Sequence, residues 1–102
     1  MTTVFKALSH PVRRRIVAML RERPMNSGDI AGAFDMAWPS ITGHLTALKE
    51  AGLVESERDG SSIRYRLNIS ALEEAVAFLM DLIGQAEPVQ APSPPAKPRR
   101  SA

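Results

Sequence analysis

The side chains best able to do chemistry stand together in WPSITGHLTALKEAGLV, residues 38–54. Trp38, Ser40, Thr42, His44 and Thr46 supply short or planar hydrogen-bonding groups, and Gly43 lies among them with no side chain. No carboxylate joins them before Glu50, so the stretch suits recognition through hydrogen bonds, not bond breaking. Ile41, Leu45 and Leu48 recur at i, i+4 and i+7, the spacing of one buried helical face. Solvent faces usually fill with good helix formers, yet here serine, threonine and glycine fill the remainder. A mid-helix glycine alone costs about 1 kcal/mol relative to alanine. Such a face is explained by what it touches.

Other chemistries find little material. There is no cysteine, which removes disulfides, thiolate metal sites and a cysteine nucleophile. The only histidines are His10 and His44, while the acids Glu73, Glu74 and Asp81 gather near the end of the sequence without one. No transition-metal site of the usual nitrogen and sulfur kind is expected, and no cofactor. No paired carboxylates, Ser/His/Asp grouping or Gly-rich phosphate loop suggests an enzyme. GDIAG, residues 28–32, places small residues at i and i+4, which suits close helix packing. No run approaches the roughly 18 apolar residues of a membrane span, and the start has no signal-peptide pattern. The expectation is a soluble cytoplasmic protein.

The elements that must position the recognition face follow from periodicity. Val4, Phe5 and Leu8 predict a brief first helix. His10-Pro11 interrupts it, and proline is tolerated in the first turn of a second helix running to Glu22. That helix carries Val12, Ile16, Met19 and Leu20 on its apolar face. Asn26 or Ser27 can cap a third helix through Phe34, with Ile30, Ala31 and Phe34 inward. The fourth runs from about Trp38 to Ala51, and Gly52 is placed to end it in a left-handed conformation. The period then changes to 2: residues 53–58 and 62–68 read as strands joined by Asp59-Gly60-Ser61. Ser70 with Glu73 reads as a capping box opening a last helix to about Ile83. Its stripe, Leu72, Ala75, Val76, Leu79 and Ile83, is widened by Phe78 and Leu82 beyond what a small domain can cover, which predicts a homodimer.

Charge divides the 102 residues unevenly. The net charge is +2, but residues 1–84 hold ten of the 13 Lys/Arg and ten of the 11 Asp/Glu, so that part is neutral. Within it Arg13, Arg14 and Arg15 form a run whose members must point three ways round a helix. Residues 85–102 hold five of the eight prolines and read as a disordered, basic Pro/Ala-rich tail. Residues 1–84 are expected to form one domain.

Four helices, a β-hairpin and a final helix (α-α-α-α-β-β-α) describe a mainly α, winged helix-turn-helix fold. The second helix of such a pair enters the major groove of DNA, where short donors and acceptors are rewarded and carboxylates near phosphate are penalised. Ser40, Thr42, Gly43 and Thr46 are candidate contacts. His44 either reads a base or bonds a neighbouring turn; Trp38 either touches the sugar-phosphate chain or packs over the preceding turn. Arg58 and Arg64 are candidate phosphate ligands, with cross-strand pairs to Glu55 or Glu57 as the alternative.

FKALSHPVRRRIVAML and IAGAFDMAWPSITGHLTALKEAGLVESERDGSSIRYRLN together resemble the ArsR-type winged-helix repressors of bacteria, most of all a cysteine-free, SdpR-like autorepressor branch. The resemblance spans roughly residues 4–83. It implies a homodimer joined through the first and last helices, here Val4, Phe5, Leu8, Leu72, Val76, Leu79 and Ile83. It also implies binding to an inverted repeat in double-stranded promoter DNA. Base contacts would come from the fourth helix and backbone contacts from the wing between Arg58 and Arg64. Release could involve a small molecule between the last helices or a membrane protein. Two positions depart from the family pattern: Ala37 stands where relatives often have a capping serine, and Gly43 where they often have histidine. A different class remains open, since a neutral domain also suits a winged-helix module that binds protein.

Overall fold

The computed structural model describes residues 1–85. The expected tail falls almost wholly outside them. Five helices and three short strands follow one another: α1 Thr2–Ala7, α2 Pro11–Glu22, β1 Met25–Asn26, α3 Ser27–Gly32, α4 Trp38–Glu50, β2 Val54–Asp59, β3 Ser62–Leu67 and α5 Ile69–Gln85. The strands form one antiparallel sheet in the order β1-β3-β2. β1 is an addition to the predicted hairpin. Met25 pairs with Tyr65 and Asn26 with Arg64, and two residues are too few to show alternation in the sequence.

Local chemistry explains most boundaries. His10 is the N-cap of α2, its Nδ1 accepting from the Val12 amide at 3.2 Å, and Pro11 opens the helix. Asn26 caps α3, accepting from the Asp29 amide at 2.7 Å. That helix stops at Gly32, short of the predicted Phe34. α4 begins at Trp38, and its N-cap residue Ala37 supplies no side-chain hydrogen bond. Its end is closed by two reverse bonds, Gly52 N–H to Lys49 O at 3.0 Å and Leu53 N–H to Leu48 O at 3.0 Å. Gly52 has φ +79, which lets the chain turn there without strain on a Cβ. In the hairpin the loop proper is Gly60-Ser61, because Asp59 still pairs with Ser62, and Gly60 has φ +65.

The start of α5 corrects the capping-box expectation. The cap is Asn68, whose Oδ1 accepts from the Ala71 amide at 3.4 Å. Ser70 lies inside the helix. Asn68 prevails because it is also tied to the preceding elements. Its N–H donates to Leu53 O at 2.8 Å and its Nδ2 to Gly52 O at 2.9 Å.

The core gathers Ile16 and Leu20 of α2, Ile30 and Ala31 of α3, Ile41, Leu45 and Leu48 of α4, Leu53 just before β2, and Val54 and Tyr65 of the sheet. Burying each of the three α4 aliphatics stabilises by roughly 1.5–3 kcal/mol, which outweighs the cost of one glycine. Helix α4 is held by packing. By contrast, α5 buries only Ala75 among its described side chains. Val76, Phe78, Leu79, Met80, Leu82 and Ile83 all stand exposed.

Candidate nucleic-acid interface

With Ile41, Leu45 and Leu48 facing the core, helical spacing throws the rest of α4 outward. Ser40, Thr42, Gly43 and Thr46 are exposed, and a Cβ added at Gly43 would meet nothing within 4 Å. Among the described residues nothing requires glycine there. Trp38 and His44 fall on opposite flanks of the buried seam. Trp38 is 54% exposed, and its ring edge lies 3.8 Å from the position of a Cβ on Gly28 of α3. It therefore leans on the preceding helix while half its surface stays open.

His44 is partly buried on the flank facing α2. The Nε–H of Arg13 donates to His44 Nδ1 at 3.1 Å, and the rings of His10 and His44 lie 4.3 Å apart at 51°. Burial first, then the nearby His10 and Arg13 charges, lower the His44 pKa below the ordinary 6.5. His44 does make an internal hydrogen bond, but its partner is an arginine of α2 and not a local turn. The arginine run does point three ways. Arg13 reaches α4, Arg14 donates to Leu8 O at 2.9 Å, and Arg15 lies 5.0 Å over the Phe34 ring. Neither the Arg13–His44 bond nor the His10 cap was legible beforehand. The partners are far apart in sequence, and histidine is not among the usual capping residues.

The wing separates its two candidate arginines. Residues alternate across a strand, and Val54, Tyr65 and Leu67 mark the face turned toward the helices. Arg58, opposite Ile63, continues that face beyond the core toward the tip. Arg64 lies on the outer face, directly opposite Glu57 and among Glu55, Asp59 and Arg66. The cross-strand pairs are made by Arg66, whose guanidinium reaches Glu55 at 2.9 Å and Glu57 at 3.5 Å. The alternative weighed for Arg58 and Arg64, a cross-strand pair to Glu55 or Glu57, is thus realised by Arg66, two residues beyond Arg64 on the same face.

The expected dimer residues also divide. Val4, Phe5, Leu8 and Leu72 are partly buried, three of them against the core. The Phe5 ring packs on Phe78 of α5 in the same chain, centroids 5.9 Å apart. Val76, Leu79 and Ile83 are 59%, 46% and 68% exposed. No group of three or more potential metal ligands comes together among the described residues.

A helix pair, α3 and α4, followed by a hairpin and backed by a three-stranded sheet, defines a winged helix-turn-helix DNA-binding regulator. The family model described as "Bacterial regulatory protein, arsR family" matches residues 10–56, from the cap of α2 into β2. The chain is 38% identical over 87 residues to the transcriptional repressor SdpR of Bacillus subtilis, covering 85% of this chain and 97% of that protein. An ArsR-like transcriptional regulator from Rhodococcus sp. RHA1 superimposes with a TM-score of 0.73 at 32% identity, over 79% of this chain and 76% of its own. A homodimeric winged helix-turn-helix DNA-binding domain from Mycobacterium bovis gives 0.66 at 31% identity, over 78% and 77%. The chain belongs to the ArsR family of bacterial transcriptional regulators.

Proposed function

We propose that this protein is a transcriptional repressor that binds an inverted-repeat operator in double-stranded DNA as a homodimer, working in the cytoplasm where the chromosome lies. The observation that carries the reading is the outer face of α4. Ser40, Thr42, Gly43 and Thr46 are exposed on a helix anchored in the core by Ile41, Leu45 and Leu48, and among the described residues none of their side chains has a hydrogen-bond partner. Those four, with Trp38 and His44 on the flanks, form the base-reading surface. Arg58 at the wing is the phosphate ligand; Arg64, facing Glu57, contributes less.

The exposed α5 face, with Val76, Leu79 and Ile83, joins the second copy, and Val4 and Phe5 of α1 with Leu8 just after it line its edge. Two-fold pairing sets the two α4 helices into successive major grooves, so half-sites lie about one helical turn apart. The SdpR likeness supports repression, and the M. bovis homodimer supports the pairing. Release would come from a small molecule bound between the last helices or from sequestration by a membrane protein.

Fluorescence anisotropy on DNA from the region upstream of its own gene, against a scrambled duplex of equal composition, tests the reading. Preference of about 10³-fold or more for the native duplex, saturating at one dimer per site, is expected. Equal and weak binding to both, alongside recovery of a stable protein partner, would favour the winged-helix protein-interaction module.

A further inference from the structure

The bond between Arg13 and His44 bears on what His44 can say to DNA. An imidazole nitrogen that accepts a hydrogen bond carries no proton, so the neutral ring must carry its proton on Nε2. Arg13 Nε–H donates to Nδ1 at 3.1 Å, and a guanidinium cannot reverse that bond. No other protein group among the described residues bonds the ring, which leaves Nε2–H as its available polar atom. His10 completes the arrangement. Its own Nδ1 is committed to the Val12 amide, which sets its ring 4.3 Å from that of His44.

We propose that Arg13 is a positioning residue for base recognition, holding His44 in the Nε2–H tautomer so that α4 presents one uncharged donor to a base-edge acceptor, a purine N7 or a carbonyl oxygen. The inference rests on reading α4 as the recognition helix. A phosphate ligand would be favoured as a cation, and this site opposes a cation. Protonation at Nδ1 would set two donors against each other beside the Arg13 guanidinium, with the His10 ring 4.3 Å away. The lowered His44 pKa agrees with that geometry. The other charges at this junction are Lys6 of α1 and Glu50 of α4, which line the same shallow hollow as Arg13. A neutral donor adds sequence discrimination without releasing counterions, so it leaves the salt dependence unchanged.

Two measurements test this. Imidazole ¹⁵N spectra of the free wild-type protein read the tautomer directly, without DNA. His44 is expected with an unprotonated Nδ1 and a protonated Nε2 at neutral pH. A protonated Nδ1, or an even mixture of tautomers, would overturn the proposal. The second measurement uses a duplex that the wild-type protein selects from a randomised pool, compared with its scrambled counterpart. Arg13→Lys keeps the positive charge but not the Nε–H geometry. It is expected to lower the preference for the selected duplex about five- to tenfold, with no change in salt slope. In a His44→Ala background the same substitution should change the preference no further. Acidification through the His44 midpoint, below 6.5, should lower wild-type preference, whereas a phosphate contact would strengthen. Loss from Arg13→Lys that is equal on both duplexes would make Arg13 an ordinary phosphate ligand and defeat the inference. If the pool yields no preferred duplex, the DNA reading itself fails and takes this role with it; the tautomer spectrum shows whether the Arg13–His44 geometry was sound.

Discussion

Asn68 and Gly52, 16 positions apart, are joined by a hydrogen bond from Asn68 Nδ2 to Gly52 O at 2.9 Å. Gly52 ends the recognition helix and Asn68 caps α5, so one amide side chain connects the reading element to the helix proposed to carry the dimer. The Asn68 backbone adds a second bond, to Leu53 O at 2.8 Å.

Asn68→Ala removes both the cap and the tie. It should destabilise the fold by about 1–2 kcal/mol, given the usual worth of a cap and a part-buried hydrogen bond. Asn68→Asp keeps the capping acceptor and loses the Nδ2 donor, so its loss should be smaller. Urea unfolding of both variants checks the order. Equal stability of Asn68→Ala and wild type would show that the tie carries nothing.

Gly43→Ala should separate stability from function. An added Cβ meets nothing within 4 Å, so the free protein should gain up to about 1 kcal/mol from helix propensity. Operator binding should weaken, because the methyl group would stand between the helix backbone and the base edges. Thermal melting and anisotropy on the same sample give the two signs. Tighter binding by Gly43→Ala would mean that glycine is not there for close approach.

Arg58→Ala should lower affinity for every DNA sequence alike and reduce the salt slope by about one. Arg64→Ala should change it less, since Arg64 shares the outer sheet face with Glu55, Glu57 and Asp59. Titrations at several salt concentrations distinguish them. The reverse order would place the outer face of the wing on the duplex.

Leu79→Glu with Ile83→Lys should give monomers by sedimentation, with the far-ultraviolet helix signal retained. Both side chains are exposed in the single chain, 46% and 68%, so charge there costs the monomer little. Operator affinity should fall with the loss of the second half-site. A dimer that survives both changes would move the interface away from α5.

Stability should fall as the solution is acidified. The His44 pKa lies lower in the folded chain than the ordinary 6.5, so the unfolded chain binds the proton more readily. Its contribution is present in full above 6.5, is lost as pH falls below that value, and levels off beneath the folded pKa. His44→Asn should flatten this part of the profile. Melting temperatures between neutral pH and pH 5 measure it, and an unchanged slope in the variant would assign the pH dependence elsewhere.

What the sequence determined by itself were the features written in local spacing. The i, i+4, i+7 run of Ile41, Leu45 and Leu48 orients α4 wherever a core exists, and Gly52 ends it because only glycine turns left there without strain. The period-2 runs around Gly60 specify the hairpin in the same way. The order of those elements was enough for the fold, and the poor helix formers were enough to single out the exposed face of α4 proposed to read DNA.

Tertiary structure decided which polar groups meet. His44 could have bonded within its own helix, and only the packing of α2 against α4 brings Arg13 to its Nδ1. The register of β2 on β3 gives Glu55 and Glu57 to Arg66 and puts Arg58 and Arg64 on opposite faces. Asn68 displaces Ser70 as the cap because its other bonds reach Gly52 and Leu53, partners from an earlier part of the chain. A helix propensity or a strand period acts over a few residues. Hydrogen bonds between elements depend on how those elements dock, and a one-residue shift in register reassigns every one of them.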